Sequence, residues 1–334
     1  MKNFDWVQPT TVADAVAALA HPGAMALAGG VDLLDRLKER IVAPSRLVSV
    51  RKVAGLDELV VDRNGARIGA NITLATLAGN AELRRAFGVV ADAASHAATP
   101  QLREMATLGG NLAQRPRCWY FRSEEFHCRK KGGSTCFALD GDNSMHAIFG
   151  NTLCAATHPS TVVTALVALG AKVAIAGKTP REVELARFFV TPEQDVTRES
   201  VLEVGELITH VTIPPVPSTT RTAYTKQVAK QSFDWPLCDV AVVLAMDGRV
   251  CRQATIVLGA VAPTPIRATS AEKLLANATV DIVAAGRAAR AAITGATPLA
   301  HNDHKVAILE AVIARTLLAA VDTASPHVAS GGQP

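Results

Sequence analysis

The spacing of apolar residues predicts alternating helices and strands in the first 55 residues. The expected elements are a helix capped by Thr10 or Thr11, a strand at 24–28, a helix at 32–40 and a strand at 46–50. Strands that alternate with helices indicate βαβ units. We therefore expect a first α/β subdomain over residues 1–55.

The region from residue 56 to 213 also mixes the two kinds of periodicity. The expected elements are strands at 67–70 and 171–176, and helices at 73–78, 81–87, 89–98 and 160–169. These elements predict a second α/β subdomain over residues 56–213. Prolines at positions 214, 215 and 217 stop helices and central strands, so we expect a linker over 214–222.

The order of the elements changes after the prolines, because strands come first and helices follow. The expected strands are 223–228, 240–246 and 254–258, and the expected helices are 271–276, 280–293 and 305–321. This order predicts an α+β domain over residues 223–323. Residues 324–334 are mostly small or polar, and we expect a disordered tail there.

Composition excludes some classes of function. The 334 residues carry a formal net charge of +4 with scattered Lys and Arg and only 4% aromatic residues, which does not favour nucleic-acid binding. Neither a secretory signal at the N-terminus nor an apolar run of membrane-spanning length is present. The chain is expected to be cytoplasmic and without membrane insertion, or periplasmic if an exported partner carries the signal.

Four cysteines lie within 37 residues, at Cys118, Cys128, Cys136 and Cys154, with the spacing C-x9-C-x7-C-x17-C. Clustered thiols in a chain without an export signal are typical of metal or redox ligands. The paired C-x2-4-C spacing of zinc sites and the short spacing of bacterial ferredoxins are both absent. An iron–sulfur cluster, a zinc ion and four unrelated thiols all remain compatible with this spacing.

The residues around these cysteines bear on the same choice. Six Lys or Arg and only two Glu lie between Arg115 and Lys131, and this positive charge would help to offset a thiolate-ligated cluster. His127, His146 and His158 are further candidate ligands, although a surface or satisfied core histidine is the more ordinary interpretation of each.

Two Gly-Gly turns are candidate anion sites. Gly29-Gly30 lies between a predicted strand and a predicted helix, where backbone N–H groups can approach a diphosphate. The segment from Thr107 to Asn111 offers a second set of backbone donors. Each is also compatible with an ordinary turn. No G-x-G-x-x-G fingerprint and no hydrolase motif occurs.

The order of these segments resembles that of a known family. Segments 28–34, 68–73, 107–112 and 205–214, followed by Tyr224-x-Lys226, are similar to the FAD-binding medium subunit of the molybdenum hydroxylases. This is the xanthine dehydrogenase and carbon monoxide dehydrogenase flavoprotein family. The resemblance covers residues 1 to about 322. It implies an α+β chain, with a two-part FAD-binding α/β domain of the vanillyl-alcohol-oxidase/PCMH-like type and a C-terminal domain of antiparallel sheet and helices.

The resemblance also implies which residues contact FAD. The implied contacts are Leu27, Ala28, Gly29, Gly30, Val31, Asp32, Leu33, Thr73, Thr107, Gly109, Gly110, Asn111, Ile208 and Lys226. One position departs from the family pattern, because Thr161 stands where an Asp commonly follows His158-Pro159-Ser160. A carboxylate contact to the cofactor is therefore expected to be lost or replaced.

The cysteine segment is similar to a subgroup with an inserted loop, here residues 114–158, that includes periplasmic aldehyde oxidoreductase. That similarity implies a [4Fe-4S] cluster on Cys118, Cys128, Cys136 and Cys154. The implied function is electron transfer, with no substrate-oxidising residue in this chain. The implied partners are a molybdopterin-binding large subunit, a [2Fe-2S] small subunit and an external electron acceptor.

Two other functions remain as alternatives. One is a non-catalytic, zinc-stabilised binding module on the same fold. The other is a stand-alone oxidase with covalently attached flavin, but no His or Cys anchor occurs between Ala24 and Arg40.

Overall fold

The structure is a computed structural model, and it describes residues 2–230 and 232–323. Its first sheet is parallel, with strands β1 (Asp5–Val7), β2 (Ala24–Leu27) and β3 (Arg46–Ser49) in the order β1-β3-β2. Helices α1 (Val12–Leu19) and α2 (Leu33–Lys38) connect these strands. The predicted βαβ units are confirmed.

Local chemistry explains where α1 begins. The Thr11 hydroxyl accepts a hydrogen bond from the backbone N–H of Asp14 at 3.1 Å, which satisfies one of the free donors at the helix start. The buried face of the helix carries Ala15 and Leu19, which pack against Val48 of β3. The predicted capping by a threonine is therefore confirmed at Thr11.

The second sheet is antiparallel, with its strands in the order β4-β5-β8-β6-β7. Its strands are β4 (Leu59–Asp62), β5 (Gly65–Gly69), β6 (Lys172–Ala176), β7 (Arg181–Glu184) and β8 (Leu207–Ile213). Its helices are α3 (Leu74–Gly79), α4 (Ala81–Ala86), α5 (Gly88–Ser95), α6 (Pro100–Met105), α7 (Leu108–Leu112), α8 (Trp119–Arg122) and α9 (Thr161–Ala168). Two short 3-10 helices are Arg129–Lys131 and Leu185–Arg187.

The C-terminal sheet is also antiparallel, in the order β12-β11-β10-β9, with β13 paired to β11. Its strands are β9 (Thr220–Val228), β10 (Pro236–Asp247), β11 (Val250–Gly259), β12 (Ile266–Arg267) and β13 (Ala278–Thr279). Helices α10 (Thr269–Leu275), α11 (Ile282–Ala292) and α12 (His304–Asp322) follow. Apart from the two-residue β13, which lies between α10 and α11 in the chain, this arrangement confirms the prediction of strands first and helices afterwards.

The cysteine-containing segment between α7 and α9 packs on the C-terminal domain. Ile148 of this segment belongs to the core of that domain. The ammonium group of Lys305, a side chain with no solvent exposure, donates hydrogen bonds to the carbonyls of His146 at 2.8 Å and Ala260 at 2.9 Å. Buried charge of this kind is tolerated only where hydrogen bonds replace water. Lys305 therefore fixes the segment to the start of α12.

Short elements were not predicted from the sequence. They are β1, β4, β7, β12, β13, α6, α7 and α8, and the seven-residue strand β8 was not predicted either. Elements of two to six residues are too short for a periodic pattern to distinguish them from loops. The predicted tail at 324–334 lies outside the described residues. None of the described helices is long and apolar enough to cross a membrane.

Candidate cofactor site

A cleft of about 500 Å³ lies between the first subdomain, the helices of the second subdomain and the turn that joins β9 to β10. Most of the residues predicted to contact FAD line it. Those residues are Leu27, Ala28, Gly29, Gly30, Val31, Asp32, Leu33, Thr107, Gly110, Asn111 and Lys226. The volume is within the usual range for cofactor sites.

Three residues predicted to contact FAD do not line the cleft. Thr73 caps α3, where its hydroxyl accepts a hydrogen bond from the backbone N–H of Thr76 at 3.1 Å. Gly109 packs on Ala70, with no room for a side chain between them. Ile208 is 4% exposed in β8 and belongs to the core of the second subdomain.

The first Gly-Gly turn has the features of an anion site. Gly30 has a φ of +79°, and a side chain on Gly29 would overlap the carbonyl oxygen of Met105 in α6. Only glycine fits both requirements. Within the described part of the chain, the backbone N–H groups of Gly29, Gly30 and Val31 make no hydrogen bond. These donors are available to a phosphate group.

The second Gly-Gly turn is different, because its backbone donors are already used. The N–H groups of Leu108 and Gly109 bond the carbonyls of Ile72 and Ala70, each at 2.8 Å. The N–H groups of Gly110 and Asn111 bond the side chain and carbonyl of Thr107. This turn can therefore offer side chains to a ligand, and it has no free backbone nest.

Asp32 forms the centre of a cluster of ion pairs beside the first turn. Its carboxylate lies 2.9 Å from Arg36, 3.0 Å from Arg117 and 2.6 Å from Arg122. Burial by itself raises the pKa of Asp32, but the three guanidinium groups outweigh burial and lower the pKa below its ordinary value. Asp32 is therefore ionised and committed to these arginines. Its carboxylate is a structural anchor in the wall of the cleft.

Lys226 lines the other side of the cleft and supports a strained loop. Its ammonium group donates to the carbonyl of His96 at 2.9 Å. Arg103 donates to the carbonyls of Ala97 and Ala98 at 3.0 Å, and Ala98 has a φ of 45°. A non-glycine residue with positive φ persists where its surroundings hold it, often at ligand sites.

Thr161, the residue that departs from the family pattern, also lines the cleft. Its hydroxyl donates to the carbonyl of Ala93 in α5 at 3.3 Å, so its donor is already used.

Arg117 and Trp235 lie at the same cleft and were not predicted. The Arg117 guanidinium carbon lies 5.4 Å from the centre of the Trp235 ring, which is half-exposed. Arg117 also donates to the Gln114 side-chain carbonyl at 3.1 Å. Because Arg117 directly precedes Cys118, a predicted ligand, the sequence could have indicated Arg117 as a site residue. Trp235 lies 203 residues after Asp32, and no local pattern links the two.

All four clustered cysteines line one small cavity, together with aromatic and basic side chains. The other lining residues include Tyr120, Phe121, Phe137, Arg129 and Lys130. Lys130 is 7% exposed and forms an ion pair with Glu199 at 2.8 Å. Arg129 and Lys130 belong to the group of basic residues noted in the sequence, whose role in offsetting the charge of a cluster stays a prediction. The remaining cysteines, Cys238 and Cys251, are buried in the C-terminal core.

Backbone N–H groups point at the sulfur atoms. Burial raises the pKa of Cys118 to about 11, while hydrogen bonds from the backbone of Phe121 and Tyr120 act in the opposite direction. A hydrogen bond shared with Cys154 lowers the pKa of Cys136, and backbone groups of Ala155, Ala138 and Leu139 lower it further. The hydrogen bond shared with Cys136, together with burial, raises the pKa of Cys154, so among these three sulfur atoms the surroundings favour the thiolate form at Cys136 alone.

The histidines occupy different places. His146 is 3% exposed, and its Nε2 lies 3.2 Å from the sulfur of Cys118. His158 is buried against Phe189, and burial lowers its pKa to about 3. His127 does not line the cysteine cavity. In residues 2–230 and 232–323, no three His, Cys, Asp or Glu side chains are grouped so as to hold a single metal ion.

Comparison with known families identifies the chain. Residues 2–216 match the FAD binding domain in molybdopterin dehydrogenase, and residues 223–320 match the CO dehydrogenase flavoprotein C-terminal domain. The chain belongs to the FAD-binding medium subunits of the molybdenum hydroxylases. Members of this family are oxidoreductase flavoprotein subunits, so the recognition made from the Gly-Gly segments is confirmed at the level of the family.

Individual relatives agree with this assignment of the medium subunit. The aldehyde oxidoreductase FAD-binding subunit PaoB of Escherichia coli is 36% identical over 327 residues, which is 95% of this chain and 98% of PaoB. The carbon monoxide dehydrogenase medium chain of Afipia carboxidovorans is 29% identical over 84% of this chain and 82% of its own length. Quinoline 2-oxidoreductase from Pseudomonas putida has a structural match with a TM-score of 0.75 and 25% identity, covering 96% of this chain and 98% of that one.

Proposed function

We propose that this chain is the FAD- and [4Fe-4S]-binding electron-transfer subunit of a molybdenum hydroxylase of the aldehyde-oxidising kind. It would receive electrons from a [2Fe-2S] partner subunit, next to a molybdopterin-binding large subunit, and pass them to an external acceptor. The single observation that carries the proposal is that the cleft and the cysteine cavity are neighbours. Arg117 lines the cleft, and the next residue in the chain, Cys118, lines the cysteine cavity. The 36% identity to an aldehyde oxidoreductase subunit supports the substrate class.

FAD binding is supported by the chemistry of the cleft. The free N–H groups of Gly29, Gly30 and Val31 would hold the diphosphate. Asp32 with its three arginines leaves a net positive charge beside that position. Thr107, Asn111 and Lys226 would hold the remaining polar parts of the cofactor.

The donor set of the cysteine cavity fits a thiolate-ligated cluster. Four thiols line one cavity, and backbone N–H groups and buried Lys130 would compensate the negative charge of a cluster. The cavity has a volume of about 10 Å³, so side chains must rotate outward to take up iron and sulfide. Bound FAD and a bound cluster would supply the electron-carrying chemistry, while the protein sets their access and potential.

The test is a visible spectrum with flavin, iron, sulfide and zinc assays on anaerobically purified protein. Flavin with about four iron and four sulfide per chain is expected. Flavin without iron would refute the cluster and leave the flavoprotein assignment intact. Zinc without flavin would refute both and favour the zinc-stabilised binding module. The isolated FAD-loaded chain is expected to show no aldehyde oxidation.

A further inference from the structure

Three cavities follow one another across the molecule. The cleft proposed for FAD and the cysteine cavity are separated by a cavity of about 100 Å³. Arg117 and Trp235 line both the cleft and the middle cavity, and Cys118 lines both the middle cavity and the cysteine cavity. A movement of the cysteines can therefore reach the wall of the cleft through few residues, and Arg117 is one of them.

Arg117 contacts three separate segments that line the cleft. One nitrogen lies 3.0 Å from the carboxylate of Asp32, at the end of the first Gly-Gly turn. Another donates to the side chain of Gln114, just after α7, at 3.1 Å. The guanidinium plane packs on Trp235, in the turn between β9 and β10. The Trp235 side chain is 53% exposed.

The strength of the contacts with Asp32 and Trp235 depends on the position of the Arg117 guanidinium. Its backbone continues directly into Cys118, so a shift of that cysteine would also move the backbone of Arg117. Its charge adds to those of Arg36 and Arg122 around Asp32, which keeps this cluster net positive beside the position proposed for the diphosphate. Its planar group provides the stacking surface that Trp235 uses.

We infer that Arg117 is a positioning residue that links the cysteine-bearing loop to the FAD cleft. When the loop is ordered, Arg117 keeps the cleft closed. Cluster binding on Cys118 would hold Arg117 between Asp32 and Trp235, and this arrangement would retain FAD. Loss of the cluster would release Trp235 and weaken FAD binding. This inference rests on the proposed function, since it requires both cofactors.

The test compares FAD release from the full chain with and without the cluster. Release is followed by the recovery of flavin fluorescence, and iron is assayed in the same samples. In the wild type, anaerobic removal of iron by a chelator and ferricyanide is expected to speed FAD release about tenfold or more, an effect in the usual range for coupled sites. In Arg117→Gln, release is expected to be fast in both states, with less than about a twofold change on iron removal.

Three further variants distinguish the positioning role of Arg117 from a general effect on folding. Trp235→Leu removes the stacking partner at an exposed site and is expected to behave like Arg117→Gln. Arg117→Lys retains a charge for Asp32 but not the planar surface, so an intermediate release rate is expected. Arg115→Gln is the matched control, because the Arg115 side chain pairs with Glu199 and does not line the cleft. It is expected to follow the wild type.

The outcomes are distinct. If Arg117→Gln and the wild type respond equally to iron removal, the inference is wrong while the proposed function stands. If iron removal does not change FAD release in the wild type, the two cofactors are not coupled and the inference is also wrong. Wild-type protein that carries FAD but no iron would refute the cluster itself, and the coupling with it.

Discussion

The carboxylate of Asp32 lies 2.6 Å from the guanidinium of Arg122, although 90 residues separate them in the sequence. Asp32 ends the first Gly-Gly turn, and Arg122 ends the helix that follows Cys118. The pair joins the wall of the FAD cleft to the cysteine-bearing loop. Both side chains are 12% exposed, so the interaction is poorly screened by solvent.

Asp32→Asn is expected to destabilise the protein by about 3 kcal/mol, because it removes the carboxylate that pairs with Arg36 and Arg117 and leaves Arg122 with the exposed Asp35. The matched control is Asp35→Asn, since Asp35 also pairs with Arg122 but is 51% exposed. The control is expected to cost less than about 1 kcal/mol. Urea unfolding of the two variants measures the difference. Equal costs would show that the ion-pair cluster contributes little.

Gly29→Ala is expected to weaken FAD binding by at least about tenfold, because the added methyl group must displace the carbonyl of Met105 and with it the backbone donors of the turn. Titration of the FAD-free protein with FAD measures the affinity. Gly79→Ala is the control, because the new methyl group there meets nothing within 4 Å at the end of α3. Unchanged affinity in Gly29→Ala would exclude this turn as the diphosphate site.

The sequence alone predicted the parts of the fold whose residues are close in the chain. Thr11 caps α1 as expected, and the strand–turn–helix around Gly29-Gly30 lies where the pattern placed it. The order of Gly-Gly segments also predicted the family correctly. Local hydrogen bonds and periodic burial are both visible in a linear sequence.

The parts that were not predicted depend on distant contacts. Arg117 and Trp235 meet across 118 residues, and nothing in either segment indicates the other. Strand β1 has three residues and exists because it pairs with β3. The two Gly-Gly turns also looked equivalent in the sequence. Only the structure shows that carbonyls of Ala70 and Ile72 use the donors of the second turn.

Cys128→Ala is expected to lose most of the iron from anaerobically purified protein, because it removes one of four thiolate ligands. Cys251→Ala is the matched control, since Cys251 is also buried but lies in the core of the C-terminal domain. Iron and sulfide assays on both variants make the comparison. Wild-type iron content in Cys128→Ala would contradict the proposed ligand set, whereas iron loss in both variants would point to a general effect on folding.

Asp239 gives the protein a specific dependence on pH. This carboxyl group is 1% exposed in β10, and burial raises its pKa to about 7, against the opposing effects of the Thr164 hydroxyl, Lys226 and the Tyr224 hydroxyl. Between about pH 4 and pH 7 the unfolded chain ionises this group while the folded protein keeps it protonated. The stability that this group contributes is therefore complete below pH 4 and is lost as the pH rises to 7.

Asp239→Asn removes the titrating group and retains its size, so the variant is expected to lack this component of the pH dependence. The difference in unfolding free energy between the wild type and this variant should change by about 4 kcal/mol between pH 4 and pH 7, as calculated from the pKa shift. Urea unfolding at pH 4.5, 5.5, 6.5 and 7.5 measures it. Asp234→Asn is the control, because Asp234 lies in the turn beside the cleft and its side chain is exposed. Parallel pH profiles for the wild type and Asp239→Asn would show that Asp239 is ionised in the folded protein.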